Sequence, residues 1–164
     1  AASGTGIRCF NDQEVVIATG GLVSRLWLSS DRGKHWIPKP VPIIQGKNTT
    51  GIFSIATRRD RWIVVGGDFQ ADSLKQQHIY YSVNEGKDWE SPVKPTLGYR
   101  SCIEFIKGKT WIAVGQGGID YSLDDGLTWL PGPNGKGFHV VRRSRKGSTI
   151  FMAGNGKISV LEIR

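Results

Sequence analysis

The sequence predicts an all-β chain built from repeated units of about four antiparallel strands, the pattern of β-propeller blades, and three observations carry that prediction. An eight-residue frame recurs three times along the 164 residues. The same order of apolar, strand-like segments precedes each copy. No stretch of ten or more residues shows helical periodicity.

The frame is Ser-x-Asp/Asn-x-Gly-x-x-Trp. Its copies run from Ser29 through Asp31 and Gly33 to Trp36, from Ser82 through Asn84 and Gly86 to Trp89, and from Ser122 through Asp124 and Gly126 to Trp129. Trp36 and Trp89 lie 89 − 36 = 53 residues apart, and Trp89 and Trp129 lie 129 − 89 = 40 apart, a spacing that suits one four-stranded unit per copy.

First strands are expected at residues 7–10, 52–56, 101–106 and 138–142, rich in β-branched and aromatic residues and bounded by Gly, Asn and Asp. Second strands follow at 15–20, 62–66, 111–115 and 150–154, each closing on glycine. Third strands fall at 25–28, 78–82, 119–122 and 158–161, and the first three lead into the frame. Short fourth strands are expected after it, at 36–39, 89–92 and 129–131. The approximate blades are therefore 5–45, 46–95, 96–134 and 135–164, within one domain spanning 1–164. With no strand left over to close the last blade, the chain reads as about four blades of a six- or seven-bladed ring whose N-terminal part is absent. A free-standing four-bladed ring is the alternative.

Composition agrees. Glycine, 22 of 164 residues, stands near twice its usual ~7%, without the period or proline load of collagen. Six Trp, six Phe and four Tyr supply large groups for a core. No run approaches the ~18 apolar residues of a membrane-spanning helix, and the opening Ala1-Ala2-Ser3-Gly4 is neither a signal peptide nor a start with Met, so a trimmed chain is expected. The net charge of +8 favours acidic partners without naming one. The basic run Arg142-Arg143-Ser144-Arg145-Lys146 reads as a solvated turn, since no helix or zinc-finger spacing accompanies it, and nucleic acid is not the expected partner. Cys9 and Cys102 read as two buried free thiols. With only His35, His78 and His139 besides, no metal site is expected, nor does any motif call for a cofactor.

Hairpin physics explains the frame. The Asp or Asn oxygen can accept backbone N–H groups of the turn that follows it, and Gly supplies a positive φ. Each Trp is expected to bury its ring against its own blade, worth on the order of 3 kcal/mol. One such side chain per unit is architecture, so Asp31 and Asp124 are not read as an acid/base pair, and Asn84 keeps the acceptor without the charge.

The frame is that of the Asp-box, or BNR repeat, and three in order make the chain resemble the Asp-box propellers over nearly all its length. The stretches 50–55, 65–68, 98–102 and 154–158 resemble the bacterial branch of the photosystem II stability/assembly factor-like family. That resemblance implies a non-enzymatic platform for protein or peptide, often exported to the periplasm or beyond, with ligand-facing loops opposite the boxes. Those loops are 45–51, 66–78, 93–100, 115–120, 131–139 and 154–157. Within them Asp68, Tyr99, Arg100, Asp120 and His139 are the ligand-binding candidates, able to form a charged, aromatic-rimmed pocket at the channel mouth. The competing reading is an internal bridge from Arg100 to Asp68 or Asp120. Sialidases and xyloglucan-cleaving enzymes also use Asp-box propellers, so a secreted glycoside hydrolase acting on carbohydrate is the alternative. No catalytic residue is assigned, because Glu104 falls inside an apolar strand and no arginine motif of sialidase type is present.

Overall fold

The computed structural model describes residues 5–133, 135–147 and 149–162. Within them fourteen strands form four antiparallel sheets, and there is no helix. The first sheet is β1 (Ile7–Cys9), β2 (Val15–Thr19), β3 (Arg25–Ser29) and β4 (Ile37–Pro40), in that order. The second is β5 (Thr50–Arg58), β6 (Arg61–Asp68) and β7 (Ile79–Ser82). The third is β8 (Cys102–Lys107), β9 (Thr110–Gly115), β10 (Gly118–Ser122) and β11 (Leu130–Pro131). The fourth is β12 (Val140–Arg143), β13 (Thr149–Gly154) and β14 (Lys157–Glu162). This is a partial β-propeller of about four blades. The expected fourth strand after Trp89 is reduced to a single bridge between Tyr81 and Glu90.

A residue at or next to the start of each second strand pairs with the frame serine: Val15 with Ser29, Trp62 with Ser82, Trp111 with Ser122. That register lets the blades be superposed residue by residue. Alternation along the second strand then assigns two faces. Trp62 and Val64 face the blade before, while Ile63 and Val65 face the blade after. The hydrophobic core accordingly lies between blades. One cluster joins Val16, Ala18 and Leu26 to Ile52, Ile55, Trp62 and Val64. A second joins Ile63, Val65, Ile79 and Tyr81 to Ile103, Trp111, Ala113 and Trp129. A third joins Ile112, Val114 and Ile119 to Val141, Ile150 and Met152.

The frame tryptophans follow this plan and add the preceding blade to the packing expected within their own. Trp129, 1% exposed, belongs to the cluster shared with the preceding blade, and Trp89 packs against the cluster before it. Trp36 has no preceding blade among the described residues and is only half-buried.

Side chains also stitch the inner strands together. Ser54 Oγ accepts Ile103 N–H at 3.1 Å, and one blade on Cys102 Sγ accepts Val141 N–H at 3.3 Å. Cys102 is thus a buried structural thiol, its pKa pushed up by burial. Cys9 is exposed instead, on the face of β1 that it shares with the exposed Ile7. Close backbone approach explains the glycine at this position of the second strand: a Cβ on Gly66 would clash with the carbonyl oxygen of Gly51.

Candidate functional site

The three frame turns share one hydrogen-bond plan. In the third, Ser122 Oγ donates to Asp124 Oδ1 at 2.8 Å and accepts Gly126 N–H at 2.9 Å, while Asp124 Oδ1 also accepts Thr128 N–H at 2.8 Å. Ser29 and Asp31 make the same set, with Gly33 N–H at 2.8 Å and His35 N–H at 2.9 Å. Ser82 and Asn84 repeat it with Gly86 and Asp88, both at 2.9 Å. Trp36 and Trp129 return their indole N–H to the carbonyls of Gly33 and Gly126. All the frame acceptors are therefore engaged in holding the turn.

One feature is invisible in the frame itself. The residue before each glycine also has positive φ: 64° at Arg32, 59° at Glu85 and 65° at Asp125. None is glycine, and each is held there by donating its N–H to the first hairpin of its blade, at Gln13, Asp60 and Lys109. The frame turn and the first turn of each blade thus form one locked edge.

Hydrogen bonds favour the charged form of the frame acids. His35 N–H and its ring, with Ser29, hold Asp31 far below the usual carboxylate range. Partial burial alone would raise Asp124, but the Thr128 hydroxyl and N–H and the Ser122 hydroxyl outweigh it and lower its pKa.

At the opposite end the five candidate residues separate. Arg100 and Asp120 come together as a buried ion pair, 2% and 0% exposed. Arg100 Nε donates to Asp120 Oδ2 at 2.6 Å, its Nη2 meets the same oxygen, and its Nη1 donates to the Tyr99 carbonyl at 2.7 Å. Leu97 N–H adds a weaker bond to Asp120 Oδ2 at 3.3 Å, while Asp120 Oδ1 has no partner. Burial pushes the Asp120 carboxyl up against the opposing pull of the guanidinium. Behind the pair, burial lowers the pKa of His78, whose Nε2 lies 3.0 Å from the Thr96 carbonyl.

Tyr99 is buried, its ring edge-on to Phe53 with centroids 4.9 Å apart, and burial raises its phenol pKa. Asp68 is buried too and accepts Gln70 N–H at 3.0 Å. His139 is exposed and its Nε2 lies 2.7 Å from Asn155 Oδ1. Arg100 and Asp120 therefore partner each other, whereas Asp68 and His139 bond elsewhere. Beside them the connector 132–139 meets the turn before β10 through Gly137 N–H to Gln116 O at 2.8 Å. An open cleft of about 450 Å³ results, lined by Asp72, Gln116, Lys136, Asn155 and Lys157. Lys157 Nζ is held by the Lys136 carbonyl, 4.3 Å from the centroid of the Phe138 ring.

A further polar cluster, outside the candidate residues, lies on the inner strands. Glu104 of β8 accepts Arg142 of the fourth blade at 2.8 Å and Arg8 of the first at 3.3 Å. Arg8 also donates to the carbonyls of Ile55, at 2.6 Å, and Ile103, at 3.2 Å, so one side chain ties the first blade to the second and third. Among the described residues no group of three or more His, Cys, Asp or Glu is placed to hold a metal ion. Among the same residues no helix is long and apolar enough to cross a membrane.

No protein-family model and no curated sequence matches the chain. Solved structures do. YCF48 bound to D1 peptide matches over 96% of this chain and 56% of its own, at 15% identity and a TM-score of 0.61. The WD40 β-propeller domain of Doa1 matches over 95% and 50%, at 15% identity and 0.59. The GH74 enzyme of Niastella koreensis matches over 90% and 21%, at 18% identity and 0.61. The likeness establishes the class of fold, a β-propeller, and the chain spans about half the length of the YCF48 and Doa1 chains.

Proposed function

We propose that the chain is part of a non-enzymatic Asp-box propeller, of the photosystem assembly factor-like kind, that binds a protein or peptide at the loop end opposite the frame turns. The observation that carries this reading is the closed Arg100–Asp120 pair. A glycosidase needs carboxyl groups free to meet substrate, and Asp120 is buried against a guanidinium. The pair instead fixes the base of the loops, leaving Asp72, Gln116, Lys136, Asn155 and Lys157 to line an accessible cleft. The likeness to YCF48, a propeller whose solved complex holds a peptide, supports the same reading.

Panning a random 12-mer peptide library against the intact chain tests it. Enriched peptides should bind the native chain and lose affinity in Lys157→Ala and Asn155→Ala variants that keep the native melting temperature. The likeness to GH74 enzymes sets the competing outcome. Turnover of xyloglucan oligosaccharides or aryl glycosides, with no peptide enriched, would replace this reading by the hydrolase.

A further inference from the structure

Because the blades superpose, neighbouring boundaries can be compared side chain by side chain. Between blades two and three the frame turn seals the outer edge. Asp125 Oδ1 accepts Trp111 Nε1 at 2.8 Å, while its Oδ2 meets Arg58 at 3.1 Å and Arg61 at 3.4 Å. Leu127 packs onto the shared cluster beside it.

Between blades one and two the tryptophan is kept and its partners are replaced. Glu85 stands at the place of Asp125 and Lys87 at that of Leu127, both exposed. The counterpart of Arg61 is Glu14, which is bonded to Asn11 at 2.7 Å, so two acids occupy positions that form an ion pair one blade on. Trp62, the counterpart of Trp111, is buried with its Nε1 unpartnered. What remains is an open groove of about 600 Å³. Its floor is Trp62 stacked on Phe10 at 5.1 Å, its walls include Leu28 and Ile37, and Phe10 and Ile37 are 39% and 60% exposed. Lys39, Arg59 and Lys87 rim it against Glu14 and Glu85.

We propose that this groove docks a peptide turn of a partner protein, one carrying an aliphatic side chain two residues after an acidic one. That is the chemistry Asp125 and Leu127 supply internally at the next boundary. The aliphatic group takes the place of Leu127 over the Phe10–Trp62 floor. The carboxylate meets the three cations, which outnumber the two acids, and the segment offers the oxygen acceptor that Trp62 lacks. The groove lies at the frame-turn end, away from the cleft described above, so the two proposals stand or fall separately.

The test is fluorescence anisotropy of the intact chain with a fluorescein-labelled peptide copying residues 122–129, and with the same peptide carrying Leu127→Ser. Saturable binding is expected, weakened about tenfold or more by the peptide change and by Arg59→Glu in the protein. Lys87→Leu, which refills the groove from within, should abolish binding and raise the melting temperature. Both protein positions are on the rim, so folding is retained. No saturable binding, or binding indifferent to Arg59→Glu and Lys87→Leu, overturns the proposal. A higher melting temperature in Lys87→Leu without peptide binding by the native chain identifies the groove as a packing gap and overturns it too.

Discussion

Ile63 and Phe151 hold the same place on the second strands of the second and fourth blades, yet Ile63 is fully buried and Phe151 is 46% exposed. Their cross-strand neighbours differ likewise: Ile79 and Tyr81 are buried, while Ile158 and Val160 are 78% and 52% exposed. Every blade presents an apolar face in both directions. What decides whether that face contributes to stability is the blade beside it, and among the described residues none covers the far side of the fourth. In this fold the stabilising unit is the boundary between blades rather than the blade.

The largest effect expected from that difference is at tryptophan. Trp129→Ala removes a ring buried between two blades and should cost about 3–5 kcal/mol, whereas the half-buried Trp36 should cost markedly less when changed to Ala. Urea unfolding of the two variants checks this, and equal losses would show that the frame ring acts within its own turn. Ser122→Ala comes next, at about 1–3 kcal/mol, because it strips the Gly126 N–H and Asp124 of a buried partner.

A smaller effect is expected from pH. Burial holds His78 neutral in the folded chain, below its ordinary 6.5, so the unfolded chain binds the extra proton first. Stability should therefore fall as pH drops below about 6.5, and His78→Gln should flatten the slope on the acid side of that value. A slope unchanged in that variant assigns the dependence to another group. Smallest of all, Ile158→Thr on the uncovered face should change stability by less than about 0.5 kcal/mol, in contrast to Ile79→Thr on the covered one. Differential scanning calorimetry of the pair reads both.

The architecture was legible because it is periodic. The frame serines, glycines and tryptophans mark the same turn three times, and period-2 alternation locates the strands on either side. Contacts between blades were not legible, since nothing local in a strand tells which neighbour it will meet. Nothing local to Trp129 therefore brings the preceding blade against it, and Cys9 adjoins apolar residues yet is exposed. Glu104 read as an oddity in an apolar strand until Arg8 and Arg142 arrived from two other blades. The positive φ at Arg32, Glu85 and Asp125 was hidden as well, since it is enforced by a hydrogen bond from a separate hairpin. The pairing of Arg100 with Asp120 lies between these cases: the sequence offers Arg100 a bridge to Asp68 or Asp120, and only the folded chain selects Asp120.

Hydrogen exchange followed by mass spectrometry, strand by strand, tests the central claim most directly. If the boundaries hold the molecule, the amides of β6 and β9, each flanked by blades on both faces, exchange last, and those of β14 exchange well before them. Equal protection in β6, β9 and β14, or slowest exchange in β14, would contradict it.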